Sequence, residues 1–365
     1  MAVIEKNKPL IPPVVTQYVV SLLMTFASAC ILILAQGESP FGAMKQIAIG
    51  AFGSLANFAT TIRWMTSCLM AGIAAMVAFK SGARNMGIEG QLYFGALAAA
   101  VAGYSVQLPH IPHILFCLSV AALAGALYGA VPALLQLYFN VSELISSLML
   151  NFVAVLITDY LTVWIIMGGL QAANGSASST TPQIERSAQL ATLVKGTTAS
   201  TGIFIALAVA ALAWFVFRFT IKGFELTQMG RNRRFARQGG VNVTGSFLLV
   251  FLVSGLIAGL SGGVEVSGSY HRFTSNFSKN ISWDGIMITR VAGNNPVGVV
   301  LVSFIWGALK AGAMHMERTT SLNRLTVNII QMLFVLFVSI NYQWLLDRLS
   351  LCRAAWRKKE VEVKA

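Results

Sequence analysis

The sequence predicts an all-α polytopic membrane protein with about nine to ten transmembrane helices, one of them short or re-entrant. Three observations carry this. Hydrophobic residues make up 56% of the 365 and charged residues only 11%, against roughly a quarter charged in soluble chains. Long uncharged apolar runs recur at 14–35, 114–139, 144–158, 245–264, 291–309 and 325–346, and a helix needs about 20 residues to cross the hydrocarbon core. Lipid offers backbone groups no hydrogen-bond partner, so spanning segments must be helical.

In chain order the helices fall near 14–35, 62–80, 91–107, 113–138, 143–167, 202–222, 245–266, 283–293, 297–316 and 326–346. The first run is too long for a signal-peptide core and lacks a cleavage-like tail, so it counts as a helix. The stretch 41–56 reads as an interfacial helix, with one lysine among small and apolar residues. The short eighth helix dips in and returns through Gly293-Asn294-Asn295-Pro296. Gly125 and Gly129, and Gly255, Gly259 and Gly263, recur every four residues. That spacing lets helix backbones approach closely, first of all within one subunit and alternatively between subunits. Cys30, Cys68, Cys117 and Cys352 show no pairing or metal spacing and read as small apolar filler.

Lysine and arginine favour the cytoplasmic side of a membrane. An inside N-terminus places sixteen of the 26 there and eight opposite, with Arg290 and Lys310 within helices. Both termini are therefore expected in the cytoplasm. The net charge of +13 is then cytoplasmic surface rather than a nucleic-acid site. Residues 168–200 form the one long polar loop, expected outside; Asn174-Gly175-Ser176 within it fits a glycosylation sequon. Residues 347–365 form a basic cytoplasmic tail.

One compact basic segment, residues 223–244, hangs between two uncharged runs of membrane length. It has the form of a device for docking a cytosolic partner. Asn232 can cap a short helix from Arg233 to Gln238, and Gly239-Gly240 would end it.

Catalytic signals are lacking. No phosphate loop of the G-x-x-x-x-G-K-[ST] type occurs. Leu260-Ser261-Gly262-Gly263 looks like the signature tetrapeptide of ABC ATPases, but lies inside an apolar helix and reads as coincidence. The four histidines are scattered near outer helix ends. Polar residues at membrane depth are the better lead, since a charge there costs about 2.5–3.5 kcal/mol on insertion scales. Glu143 and Asp284, near helix N-termini, read first as caps. Glu89 and Asp159 divide evenly between a water-lined path and helix packing.

Five stretches together carry a family resemblance. They are Ala78–Gln91 (AFKSGARNMGIEGQ), Glu143–Phe152 (ELISSLMLNF), Gly223–Val241, Ser254–Arg272 and Trp283–Gly298. In order and in register over roughly residues 60–340, they resemble the permease subunit of bacterial ABC importers for simple sugars and nucleosides, the ribose-permease-like group. The nucleoside branch, linked to basic membrane proteins, is the most similar. The resemblance implies a single permease domain over 1–365 with an ABC importer permease fold. It implies a coupling helix at Asn232, Arg233, Arg234, Phe235, Ala236, Arg237, Gly239 and Gly240. Candidates for the translocation pathway are Asn85, Glu89, Gln91, Asn151, Asp159, Glu265 and Asp284. It further implies a bacterial plasma-membrane location and alternating access, with no cofactor or metal in this chain and ATP and magnesium on the partner. The implied partners are a cytosolic ABC ATPase, a second and paralogous permease, and an external substrate-binding lipoprotein. Two departures stand out. Arg233 and Arg234 replace the family's proline and acidic residues, which implies a charge-matched ATPase groove. Arg290 replaces an apolar residue, which bears on the pathway lining. Other readings are a simple-sugar importer permease, a secondary carrier with inverted repeats, of which none is clear, and a membrane enzyme, for which no catalytic cluster exists.

Overall fold

The computed structural model describes residues 13–166, 180–278 and 280–340. The predicted sequon at Asn174, Cys352, the tail 347–365, residues 168–179 of the long loop and residues 341–346 of the last predicted helix lie outside the described residues. The described elements are helices: α1 (Pro13–Ala35), α2 (Pro40–Phe52), α3 (Leu55–Lys80), α4 (Ile88–Ser105), α5 (His110–Phe139), α6 (Glu143–Tyr160), α7 (Gly202–Phe219), α8 (Ile221–Arg231), α9 (Arg233–Gln238), α10 (Val243–Glu265), α11 (Ile281–Val291), α12 (Pro296–Thr319) and α13 (Leu325–Ser339). α6 and α10 each run on into a π-helical turn, Leu161–Ile166 and Val266–Tyr270. Among the described residues, seven helices are long and apolar enough to cross a membrane.

Most boundaries fall within a few residues of those the sequence predicts, and two differ for physical reasons. α3 begins seven residues before position 62, because the Ser54 side chain caps it by accepting the Asn57 N–H at 3.1 Å. The predicted helix over 202–222 breaks at Thr220, whose hydroxyl ends α7 on the Val216 carbonyl at 2.7 Å and caps α8 on the Gly223 N–H at 3.1 Å.

The chain divides into two packing units, residues 46–315 and the paired terminal segments 1–45 and 316–365. In the terminal unit α1 packs along α13, with the Gln17 amide donating to the Val338 carbonyl at 2.6 Å. Glu38 accepts the N–H and hydroxyl of Ser321 at 3.2 and 2.8 Å. These bonds hold its carboxyl below the ordinary value of 4.5.

In the larger unit α4, α5 and α10 form the centre, and α3 packs on α10 and α11. Glycine makes the centre possible. A Cβ on Gly259 would stand 2.8 Å from the Gly125 Cα, and one on Gly95 would stand 2.7 Å from the Gly259 carbonyl carbon. Gly255 meets Gly125 and Gly263 meets Ala121 in the same way. The four-residue glycine spacing therefore serves packing inside one subunit, the first of the two readings. Leu260–Gly263 is part of this seam, with Gly262 set on the α4 backbone at Leu92 and Ala96. Cys68 and Cys117 are fully buried, as apolar filler would be. Away from the centre, leucines such as Leu127 (70% exposed) and Leu156 (69%) point outward, as lipid-facing positions do.

One end of this unit is capped. Residues 180–201 run across it, with N–H groups of Thr181, Ile184 and Leu190 donating to the carbonyls of Phe273, His271 and Ser267, each at 2.9 Å. His113 Nδ1 lies 2.8 Å from the Ser187 hydroxyl. Burial holds His271 below its ordinary value of 6.5. The opposite end carries α8 and α9.

Candidate functional site

At the α9 end, local chemistry alone builds a six-residue helix. Asn232 is extended (φ −154°), and its Oδ1 accepts the N–H groups of Arg234 and Phe235 at 3.0 and 3.1 Å. Gly240 stops the helix in the left-handed region (φ +84°), where a side chain would be strained. Gly239 and Val241 close the end on the carbonyls of Phe235 and Ala236, both at 3.0 Å. The caps and bounds are those expected from the sequence. Ala236 is buried, whereas Phe235 is 62% exposed.

The three arginines of α9 are not equivalent. Arg233 turns back into the protein: its Nη2 donates to the Gly82 carbonyl at 2.9 Å, lies 3.9 Å from Glu143, and its guanidinium sits 5.2 Å from the Phe247 ring centre. Glu143, expected to cap α6, thus faces Arg233. Arg234 and Arg237 have no carboxylate within 4.0 Å among the described residues. Gly82 itself turns at φ +74°, and a Cβ there would stand 2.8 Å from the Gly230 Cα. The α8–α9 segment therefore rests directly on the turn that leads from α3 into α4.

That turn opens the first polar cluster. Residues 81–87 are not helical, and buried backbone groups outside a helix need partners inside the protein. Asn85 and Gln91 exchange two amide hydrogen bonds at 3.1 Å. Asn85 also donates to Ser254 at 2.9 Å and accepts the Gly87 N–H at 2.9 Å. Ser254 passes its proton to the Ala74 carbonyl at 2.8 Å. Asn151 donates to the Met86 carbonyl at 2.8 Å and accepts the Gly90 N–H at 2.9 Å, so it satisfies one of the orphan donors at the start of α4. In this arrangement Asn85, Gln91 and Asn151 spend their hydrogen bonds on the chain itself.

The acidic candidates fall into two groups. Glu89 accepts the Ser282 N–H at 3.3 Å, in the first turn of α11. One buried oxygen of Asp159 has no hydrogen-bond partner among the described residues. Asp159 thus retains acceptor capacity that the described chain leaves open.

Glu265 and Asp284 form the second group, and each has its own cation. Glu265 lies 3.1 Å from Arg63 and also accepts the Ser67 hydroxyl. Asp284 accepts the Trp306 indole N–H at 3.1 Å and lies 2.5 Å from Lys310. The expectation that Asp284 caps its helix is corrected: its oxygens go to α12. Arg63 sits 4.2 Å from the Trp64 ring centre and Lys310 sits 5.0 Å from the same ring. Two ion pairs on four helices thus share one indole. Arg63 and Lys310 were missed as site residues by sequence reasoning, because nothing local ties them to their carboxylates; Glu265 lies 202 positions from Arg63. Arg290 is exposed at the end of α11 and joins neither cluster.

A helical bundle that encloses polar clusters and charged pairs between apolar outer faces is a multi-pass membrane protein. Its pattern over residues 57–339 matches the family described as "Branched-chain amino acid transport system / permease component", and the chain belongs to that family. It is 31% identical to the guanosine ABC transporter permease protein NupP of Bacillus subtilis, over 88% of this chain and 92% of that one. It is 30% identical to the glucose ABC transporter permease protein TsgB13 of Haloferax volcanii, over 88% and 86%. It is 24% identical to the nucleoside ABC transporter permease protein NupB of Lactococcus lactis, over 88% and 90%. No solved structure matches. The chain is thus an ABC transporter permease, a transport component rather than an enzyme.

Proposed function

We propose that this permease imports nucleosides. The observation that carries the reading is its likeness to a guanosine permease along nearly the whole of both chains. The excess of lysine and arginine supports a cytoplasmic location for both termini and for α8–α9, with residues 180–201 outside. ATP with magnesium would then be bound and hydrolysed by a separate cytosolic subunit that grips α9. A paralogous permease would complete the membrane channel, and an external lipoprotein would deliver substrate. Asp159, with an acceptor oxygen left open, and Glu89 beside the first turn of α11 are the pathway groups best suited to a ligand rich in N–H and O–H donors. The glucose permease of Haloferax volcanii, at 30% identity, makes a simple sugar the second reading.

Uptake of labelled guanosine, adenosine, uridine, ribose and glucose by cells that lack their own carriers tests the proposal. Saturable, ATP-dependent nucleoside uptake is expected; uptake of sugars alone would reverse the assignment. Coupling is tested separately on α9. Glutamate at Arg233, Arg234 and Arg237 together is expected to abolish ATPase co-purification and uptake, and lysine to weaken both, because lysine lacks the planar fork of arginine. Normal transport by the glutamate variant would show that α9 is not the coupling helix.

A further inference from the structure

A cavity of about 460 Å³ opens beside α9, lined by Arg233, Arg234 and Arg237, by Gln136 and Asn140 at the end of α5, and by Thr244 in the first turn of α10. At about 100° per residue the three arginines fall on one side of α9 and Phe235 on the other. The cavity is therefore distinct from the exposed aromatic face that a soluble partner would meet. Arg233 is partly neutralised by Glu143, but Arg234 and Arg237 bring two uncompensated guanidinium groups to one wall. The first turn of α10, a 23-residue helix, adds its positive end. Charge of one sign around a concave space favours an anion, and forked guanidinium groups fit phosphoryl oxygens best.

The position says which anion. The cavity lies where two membrane-length helices, α5 and α10, end together. Tyr138 and Phe139 are 78% and 72% exposed on the last turn of α5, and tyrosine in particular is enriched at headgroup level. We propose that the cavity holds the phosphoryl headgroup of an acidic phospholipid in the cytoplasmic leaflet. The lipid would fix Arg234 and Arg237, and with them the placement of α9 that presents Phe235 to the ATPase, so charge reversal at these arginines costs coupling through the placement of α9. The choice of leaflet rests on the orientation proposed above; binding itself does not, so the two fail separately.

The test is lipid retention by the complete purified complex. It is exchanged into vesicles of phosphatidylcholine and phosphatidylglycerol in equal parts, extracted again, and its bound lipid is weighed by mass spectrometry. Selective retention of phosphatidylglycerol by the unaltered chain is expected; equal retention of both lipids would overturn the proposal without any variant. Gln136→Glu with Thr244→Glu places two carboxylates in the cavity from α5 and α10 and leaves α9 intact. This pair is expected to lower the selectivity by on the order of tenfold or more, while Gln136→Leu with Thr244→Val keeps most of it. Undiminished selectivity in the carboxylate pair would place the lipid elsewhere and overturn the site. Inorganic phosphate is the competing arm: if it displaces the lipid completely at equal concentration, the site takes the free ion and the lipid assignment falls.

Discussion

Two polar clusters lie buried among the helices, and they hold the structure in different ways. The cluster around Asn85, Gln91 and Asn151 is uncharged, and Asn151 spends both ends of its amide on backbone, the Met86 carbonyl and the Gly90 N–H. The cluster around Trp64 is charged, and its partners are side chains: Arg63 with Glu265, Lys310 with Asp284. A side-chain partner can be removed together with its mate. A backbone partner cannot. The first cluster supports an unwound connection, and the second clamps finished helices.

The sharpest test of that contrast is Glu265→Gln, which leaves the Arg63 charge without its carboxylate. Breaking a buried pair from one side costs roughly 3–5 kcal/mol, and a large fall in the melting temperature of the purified complex is expected. Adding Arg63→Met should restore most of it. A double variant no more stable than the single one would show that the charge pair is not what Glu265 serves.

Asn151→Leu is expected to have an effect of comparable size, with no rescue. It orphans one buried carbonyl and one buried N–H, each worth about 1–3 kcal/mol when left unpaired. Uptake should fall while the complex still assembles, because the turn into α4 loosens and the helix seam remains. Uptake equal to the unaltered chain would reduce Asn151 to packing.

Glu38 supplies the exposed reference and the smallest effect. Its bonds to Ser321 hold the folded carboxyl below 4.5, so the ionised form is favoured in the folded state. The stability this adds is complete above pH 4.5 and is lost as pH falls through the lower folded value. Ser321→Ala should flatten that part of the acid limb in a melting-temperature profile and leave neutral pH almost unchanged. A profile unaltered below pH 4.5 would remove Ser321 as the cause.

The sequence is most legible where chemistry is local. The α9 bounds follow from one asparagine and two glycines, and Asn232 caps as expected because its acceptors lie two and three residues on. The glycine seam is legible because it repeats on one helix face. The partners of Glu265 and Asp284 are not, since nothing local ties Arg63 to a residue 202 positions away. Asn85 and Gln91 were picked as candidate pathway groups, yet here they bond each other. Only the fold reveals that an unwound turn has to be satisfied between them.

The glycine seam has a mechanical consequence. Where Gly95, Gly125 and Gly259 bring three helix backbones into contact, there is no layer of side chains to shear or swing, and any sliding drives carbonyls into Cα atoms. α4, α5 and α10 must therefore travel as one rigid body. Movement within this unit has to be taken up outside the seam, at turns such as the left-handed ones at Gly82 and at Gly293-Asn294, and the first of these is the turn on which α8 and α9 rest.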